Sequence, residues 1–318
     1  MKYKKLIIYL LLISLTLACG CSSQQQRQSI AVIVKATDSD FWQSVRRGVN
    51  AAATEYNISV TFEGPENEED YLKQNELINR AVQNGANAIV FSAIDYYQSA
   101  NAISAAANAG VQIVVIDSGV NSDKINTFIG TDNYKAGQAA AAAAVECRGR
   151  SENMRIGIVN YDRNTDNGRQ RESGFRDYIS ALPEAEVVEA VNVDSNTTSA
   201  TAGAISLLHA HPEINVLVGF NEWMTLGIGN AIQQLGLKDT VTAVGFDNNV
   251  ISVSMLETGE MDALIVQNPF AMGYLGVQSA ADLISGRSVP DNIETSATTI
   301  TKQNMFDEDS QKILFRFE

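Results

Sequence analysis

Apolar and polar positions along this chain follow two rhythms that take turns. Ile30 to Val34 is a short aliphatic, mostly β-branched run, as suits a strand covered on both faces of a parallel sheet. From Phe41 the apolar positions Phe41, Val45, Val49, Ala52 and Ala53 recur at spacings of three and four, on one face of a helix reaching about Asn57. The pair then repeats, with strands predicted over 58–63, 88–92, 111–116 and 126–130, and helices over 68–84, 96–109 and 134–147. After Met154 the rhythm restarts. Strands are predicted over 155–160, 187–193, 216–220, 241–246 and 263–266, and helices over 169–181, 199–210, 222–235, 250–257 and 271–285. Such alternation predicts parallel strands with helical crossovers, so the fold class is α/β with two doubly wound parallel-sheet lobes. A chain of 318 residues is long enough for two cores. No Gly/Pro/Ser-rich linker separates the halves, which predicts lobes in close contact, joined by short hinge segments around a cleft between facing strand ends.

Open α/β sheets bind ligands at the carboxyl ends of their strands, so the residues there are the candidates. After the first strand comes Thr37-Asp38-Ser39-Asp40, where Ser39 or Asp40 can cap the helix, and then Phe41 and Trp42. Neighbouring helical residues point about 100° apart, so the two rings do not share one core and one of them is expected to face the ligand edge. Flat rings beside carboxylates and amides suit a sugar, whose C–H faces stack while its hydroxyls need polar partners. Asp117 comes after the strand over 111–116, in IDSG, as a turn residue or a ligand group. Asn221 and Glu222 come after the strand over 216–220, and Asp247 after VGF; each suits either a helix cap or a ligand contact. Gln267 directly precedes Asn268-Pro269. Arg171, in GRQRESGF, is placed in a first helical turn, where a cation opposes the helix dipole, and that misplacement favours a functional role.

The N-terminus adds a destination. Met-Lys-Tyr-Lys-Lys, an apolar run from Leu6 to Ala18 and then Cys19-Gly20-Cys21-Ser22-Ser23 have the layout of a signal peptide over 1–21. A cysteine after a small residue, with a polar tether over 22–28 behind it, resembles a bacterial lipobox, with Cys19 or Cys21 as the lipidated residue. Cys147 lies outside the signal region and is expected to pack near a helix end, with no disulfide framework implied. The formal charge is −14, and removal of Lys2, Lys4 and Lys5 would make it more negative. Without a basic patch to neutralise phosphates, nucleic acid is excluded as a partner; the charge suits an exported protein kept in solution.

Enzyme signatures are lacking. There is no Gly-x-Ser-x-Gly elbow, no His-Glu-x-x-His and no phosphate loop ending in Gly-Lys-Ser. Gly227-Ile-Gly229 lacks a third glycine and lies inside a predicted helix. His209 and His211 stand at a predicted helix end, where histidines commonly meet free carbonyls. Asp307-Glu308-Asp309 reads as a solvated loop without the spaced ligands of a calcium site, so neither metal nor cofactor is expected.

Taken in order, the opening strand–aromatic–helix unit, IDSG at Ile116, IGTDNYKAGQ at Ile129, GRQRESGF at Gly168, FNEWMTLG at Phe220, VGFDNN at Val244 and VQNPFAMG at Val266 resemble one family over about 29–301. It is the type I periplasmic substrate-binding proteins of bacterial sugar ABC importers, in the ribose-binding-like group. The resemblance implies a first lobe of 29–131 plus 268–296 and a second of 132–267 plus 297–318, with three hinge crossings. It implies Phe41 and Trp42 as stacking rings, Ser39 as a polar contact, and Asp117, Arg171, Asn221, Asp247 and Gln267 as holders of sugar hydroxyls. Ser118 stands where the ribose-binding pattern has an arginine, and the stretch Asp194-Ser195-Asn196 lacks that pattern's second-lobe aromatic, so a different pentose or a hexose is expected. Asn160 and Asp194 are weaker candidates. The implied partner is an ABC permease, or, if the closed form is a signal, a membrane histidine kinase or chemoreceptor. A sugar-responsive repressor shares the fold, but an export signal stands where its DNA-binding headpiece would be.

Overall fold

The computed structural model describes residues 28–149 and 153–315. The signal, the tether up to residue 27 and both candidate lipidation sites lie outside the described residues. The first sheet contains β1 (Ser29–Ile33), β2 (Ser59–Glu63), β3 (Ala88–Phe91), β4 (Gln112–Ile116), β5 (Thr127–Gly130) and β11 (Asn292–Glu294), in the order β11-β5-β4-β3-β1-β2 with every pair parallel. The second contains β6 (Met154–Asn160), β7 (Ala185–Asn192), β8 (Val216–Gly219), β9 (Thr242–Phe246), β10 (Ala263–Val266) and β12 (Thr298–Thr301), in the order β12-β10-β9-β8-β6-β7. Only the β10–β12 pair is antiparallel. The two sheets thus share one topology, and in each the strand order reverses next to the opening strand, β1 or β6.

Helices α1 (Asp40–Glu55), α2 (Tyr71–Gln83), α3 (Ala100–Asn108) and α9 (Pro269–Ile284) cover the first sheet. The second is covered by α4 (Asn133–Arg148), α5 (Asp166–Ser180), α6 (Thr197–Ala210), α7 (Glu222–Leu235) and α8 (Val250–Thr258), and α10 (Glu308–Leu314) adds Leu314 to its core. The inner strands are buried throughout, as the unbroken aliphatic runs require. The chain passes between the sheets after β5, after β10 and between β11 and β12.

Three predicted elements are corrected. The helix expected over 68–84 begins only at Tyr71, because the Asp70 carboxylate caps it by accepting from the Lys73 N–H at 2.8 Å; Glu68 and Glu69 are left in the loop. The helix expected from Tyr96 begins at Ala100, since the Asp95 carboxylate binds the Tyr97 and Gln98 N–H groups and holds them in a turn. The acidic stretch at Asp307 is not a loop: Asp307 stands at the N-cap position of α10, and Glu308 and Asp309 form its first turn, where carboxylates suit the helix dipole. Cys147 stands in the last turn of α4, half-buried against the second core, and burial pushes its thiol up to about 11.

Candidate functional site

Between the facing strand ends lies a small cavity, about 320 Å³ when the open solvent at its mouth is included. Ser39, Phe41, Trp42, Asp117, Arg171, Asn221, Asp247 and Gln267 all line it, so the structure brings all eight candidates together. Asp117 and Asp247 end β4 and β9 with φ of 58° and 64°, in the left-handed region that Asp tolerates better than most residues. Their N–H groups donate to the Ile129 and Ile265 carbonyls of the next strand, each at 3.0 Å, which fixes both turns.

Arg171 is the most heavily anchored residue of the site, with 1% of its surface exposed. Its Nε donates to Asn133 Oδ1 at 2.9 Å, one terminal nitrogen to the Phe220 carbonyl at 2.7 Å and the other to Gln267 Oε1 at 2.7 Å. The guanidinium also lies 4.6 Å from the Phe246 ring centroid and 4.0 Å from Asp117 Oδ1. Three of its five N–H groups are thus engaged by protein, leaving two for the cavity. Tight packing of α4 on α5 makes this possible, because a Cβ on Gly137 would strike the Arg171 carbonyl and one on Gly174 the Tyr134 carbonyl. The expected place of Arg171 in a first helical turn is corrected: α5 starts at Asp166 with Thr165 as its N-cap, so Arg171 is in the second turn. Its position is explained by its partners rather than by the dipole.

The remaining candidates combine structural and cavity-facing roles. Gln267 Nε2 donates to Asp247 Oδ1 at 2.7 Å, so Arg171, Gln267 and Asp247 form one polar relay. Ser39 caps α1, accepting from the Trp42 N–H, and Asn221 caps α7, accepting from the Met224 N–H. Cap and cavity residue are therefore not exclusive alternatives. Phe41 and Trp42 meet edge to face with centroids 4.9 Å apart. Both are buried and both reach the cavity, which corrects the expectation that only one would: α1 starts on the rim, and perpendicular rings can share that edge.

Six further residues line the cavity beyond those that the resemblance implies. Lys35, directly after the strand run, is 2% exposed; its ammonium donates to Asn167 Oδ1 at 3.2 Å and stands 3.6 Å from Asp117 Oδ2. Tyr161 lies directly after β6, and its hydroxyl donates to Asn167 Oδ1 at 2.8 Å, while burial pushes the phenol up and keeps it neutral. Glu68, Asn167, Glu222 and Trp223 complete the wall. The carboxyl end of β6, searched like the other strand ends, would have given Tyr161, and a lone lysine closing an apolar strand could have signalled Lys35. Glu68 carried no signal, because helical periodicity includes it. The stretch Asp194-Ser195-Asn196 has no aromatic, and Tyr161 and Trp223 bring second-lobe rings to the cavity from other positions. The weaker candidates stay outside the wall: Asn160 is held by Glu172 and the Gly168 carbonyl, and Asp194 does not reach the cavity.

Two cations, Lys35 and Arg171, thus face four carboxylates, Glu68, Asp117, Glu222 and Asp247. Burial raises Glu68 and Glu222 above the usual carboxylate range and pushes Asp247 up to about 7 against the opposing pull of Arg171. Acceptors, fork donors, amides and four rings around a small volume are a chemistry for a polyol with an apolar face.

Comparison with known proteins agrees in fold and in extent. The ribose import binding protein RbsB of Bacillus subtilis is 26% identical over 83% of this chain and 84% of its own. A carbohydrate transporter solute-binding protein from Agrobacterium radiobacter, solved with D-arabinose, is 30% identical with a TM-score of 0.88, covering 91% of this chain and 99% of that one. An ABC transporter solute-binding protein from Agrobacterium vitis, solved with D-fucose, is 30% identical with a TM-score of 0.86, covering 90% and 100%. Residues 30–288 match the periplasmic binding protein domain, and the chain belongs to that family.

Proposed function

We propose that this protein is an extracytoplasmic receptor that closes its two lobes on a neutral pentose or hexose and delivers it to an ABC importer. The observation that carries the reading is the convergence of Phe41, Trp42 and Asp117 from one lobe with Arg171, Asn221, Asp247 and Gln267 from the other around one cavity. A ligand touching both walls favours the closed form, and only that form offers a partner a surface drawn from both lobes. Ser39, Asp117, Arg171, Asn221, Asp247 and Gln267 read the hydroxyls, while Phe41 and Trp42 stack on the ring. Relatives named for ribose, allose and apiose, and neighbours solved with D-arabinose and D-fucose, support a monosaccharide. Lipidation at Cys19 or Cys21 would tether the receptor to the membrane beside its permease. Lobes 29–131 plus 268–296 and 132–267 plus 297–318 would move as the two bodies.

A thermal-shift screen of pentoses and hexoses tests this reading, because a ligand that binds only the folded state raises its melting temperature. One sugar should raise it, and Asp247→Ala or Arg171→Ala should abolish the shift; an unchanged shift in both variants would remove these residues from the pocket. Pull-down with a permease or with a kinase sensor domain distinguishes delivery from signalling.

A further inference from the structure

Two of the four cavity carboxylates do not end strands but reach across the cleft in opposite directions. Glu68, on the β2–α2 connection of the first lobe, accepts from Trp42 Nε1 at 2.7 Å with one oxygen and from the second lobe's Ser195 Oγ at 3.0 Å with the other. Glu69 beside it accepts from the Ser195 N–H at 2.6 Å, and Ser195 Oγ accepts from Asn221 Nδ2 at 2.9 Å. Glu222, on α7 of the second lobe, accepts from the first lobe's Phe41 N–H at 3.1 Å, with its other oxygen held by Asn249 Nδ2 at 2.7 Å. Each lobe thus hands one buried carboxylate to the other, and each carboxylate is bonded to one of the two adjacent aromatic residues of the cavity.

We propose that Glu68 and Glu222 are positioning residues that set how long the lobes stay closed on the ligand. This rests on the receptor reading and adds what times release. When the lobes part, both carboxylates regain water; when they close, each is desolvated and must find its donors across the cleft. Closure therefore depends on these bonds, and the same bonds fix Trp42 and Phe41 where a sugar ring would lie. Hydrogen bonds to charged groups are strong enough that losing one should speed opening about tenfold or more. Capture is different: ligand enters before the bonds form, so the association rate should stay the same.

Ser195 does not line the cavity, so Ser195→Ala breaks the clasp without removing a residue from the wall; Asn221 loses its bond to Ser195 Oγ but keeps its cap bond from the Met224 N–H. Both tryptophans of the chain, Trp42 and Trp223, line the cavity and provide a fluorescence signal for stopped-flow kinetics. The probe is whichever of D-arabinose, D-ribose, D-fucose and D-tagatose gives the largest thermal shift. Expected results are dissociation about tenfold faster in Ser195→Ala and in Glu222→Gln, unchanged association in Ser195→Ala, and a smaller effect of Glu68→Ala when Ser195 is already Ala than in wild type, the remainder being the lost Trp42 bond. Unchanged dissociation rates in the single variants, or fully additive effects of Glu68→Ala and Ser195→Ala, would overturn the proposal while leaving sugar binding intact. If the wild-type protein binds none of these sugars, the receptor reading is what fails. Small-angle scattering of the sugar-free protein then decides the clasp: the variants should be more extended than wild type, and identical curves would overturn it.

Discussion

Asp117 and Asp247 hold the same place in the two lobes, and their surroundings differ. Each stands at the end of the fourth strand of its sheet in chain order, both are left-handed, and both donate their N–H to the neighbouring strand. Around Asp117 stand the Lys35 ammonium at 3.6 Å, Ser92 Oγ at 2.9 Å and Asn167 Nδ2 at 3.0 Å. The Asp247 carboxylate is bonded by Gln267 alone among the described contacts, with Arg171 near by, and burial pushes it up to about 7. The comparison teaches that one backbone device, repeated in each lobe, can present a well-compensated carboxylate on one wall and a poorly compensated one on the other.

The largest effect should come from removing the cation the two walls share. Arg171→Met leaves the Asn133 and Gln267 side-chain oxygens and the Phe220 carbonyl without their donor, and is expected to cost about 3–5 kcal/mol in chemical denaturation, besides abolishing sugar binding. Next is a pH effect carried by Asp247. Because the folded-state value of Asp247 is raised, its contribution to stability is complete below about pH 4 and is lost as pH rises through about 7. The full difference corresponds to on the order of 4 kcal/mol for a buried carboxyl, of which about 3 kcal/mol falls between about pH 8 and about pH 5, and Asp247→Asn should remove that part of the gain seen when wild type is taken over this range. A slope of melting temperature against pH that is the same in variant and wild type would refute the contrast between the walls. Smaller is Tyr161→Phe, which deletes the bond to Asn167 and is expected to cost about 1 kcal/mol and a few-fold in affinity by calorimetry. Smallest is His211→Ala, far from either wall, whose contacts with Glu189 and Glu213 are at the surface; a stability change within about 0.5 kcal/mol and unaltered binding are expected.

Each wall was only partly legible in the sequence. Strand ends could be located because buried parallel strands are unbroken aliphatic runs, and the residues directly beyond four of those runs are Asp117, Asn221, Asp247 and Gln267. The rings at Phe41 and Trp42 were legible because a polar turn precedes them. Periodicity failed where a cap overrides it: the Asp70 side chain makes α2 start late and leaves Glu68 free to enter the cleft, although Glu68 fits the helical pattern. Arg171 stood out as a cation opposing the helix dipole, a reason that the observed start of α5 does not support; its real cause is a set of partners separated from it by 38, 49 and 96 positions, which no local pattern contains. The short strands β11 and β12, three and four residues long, escaped because so few positions carry no usable alternation.

A crystal structure of the protein with its bound monosaccharide tests the central claim most directly. The account predicts the sugar ring against Phe41 and Trp42 with its hydroxyls on Asp117, Arg171 and Asp247, touching both lobes. A sugar bound to one lobe only, or lodged outside this cavity, would contradict it.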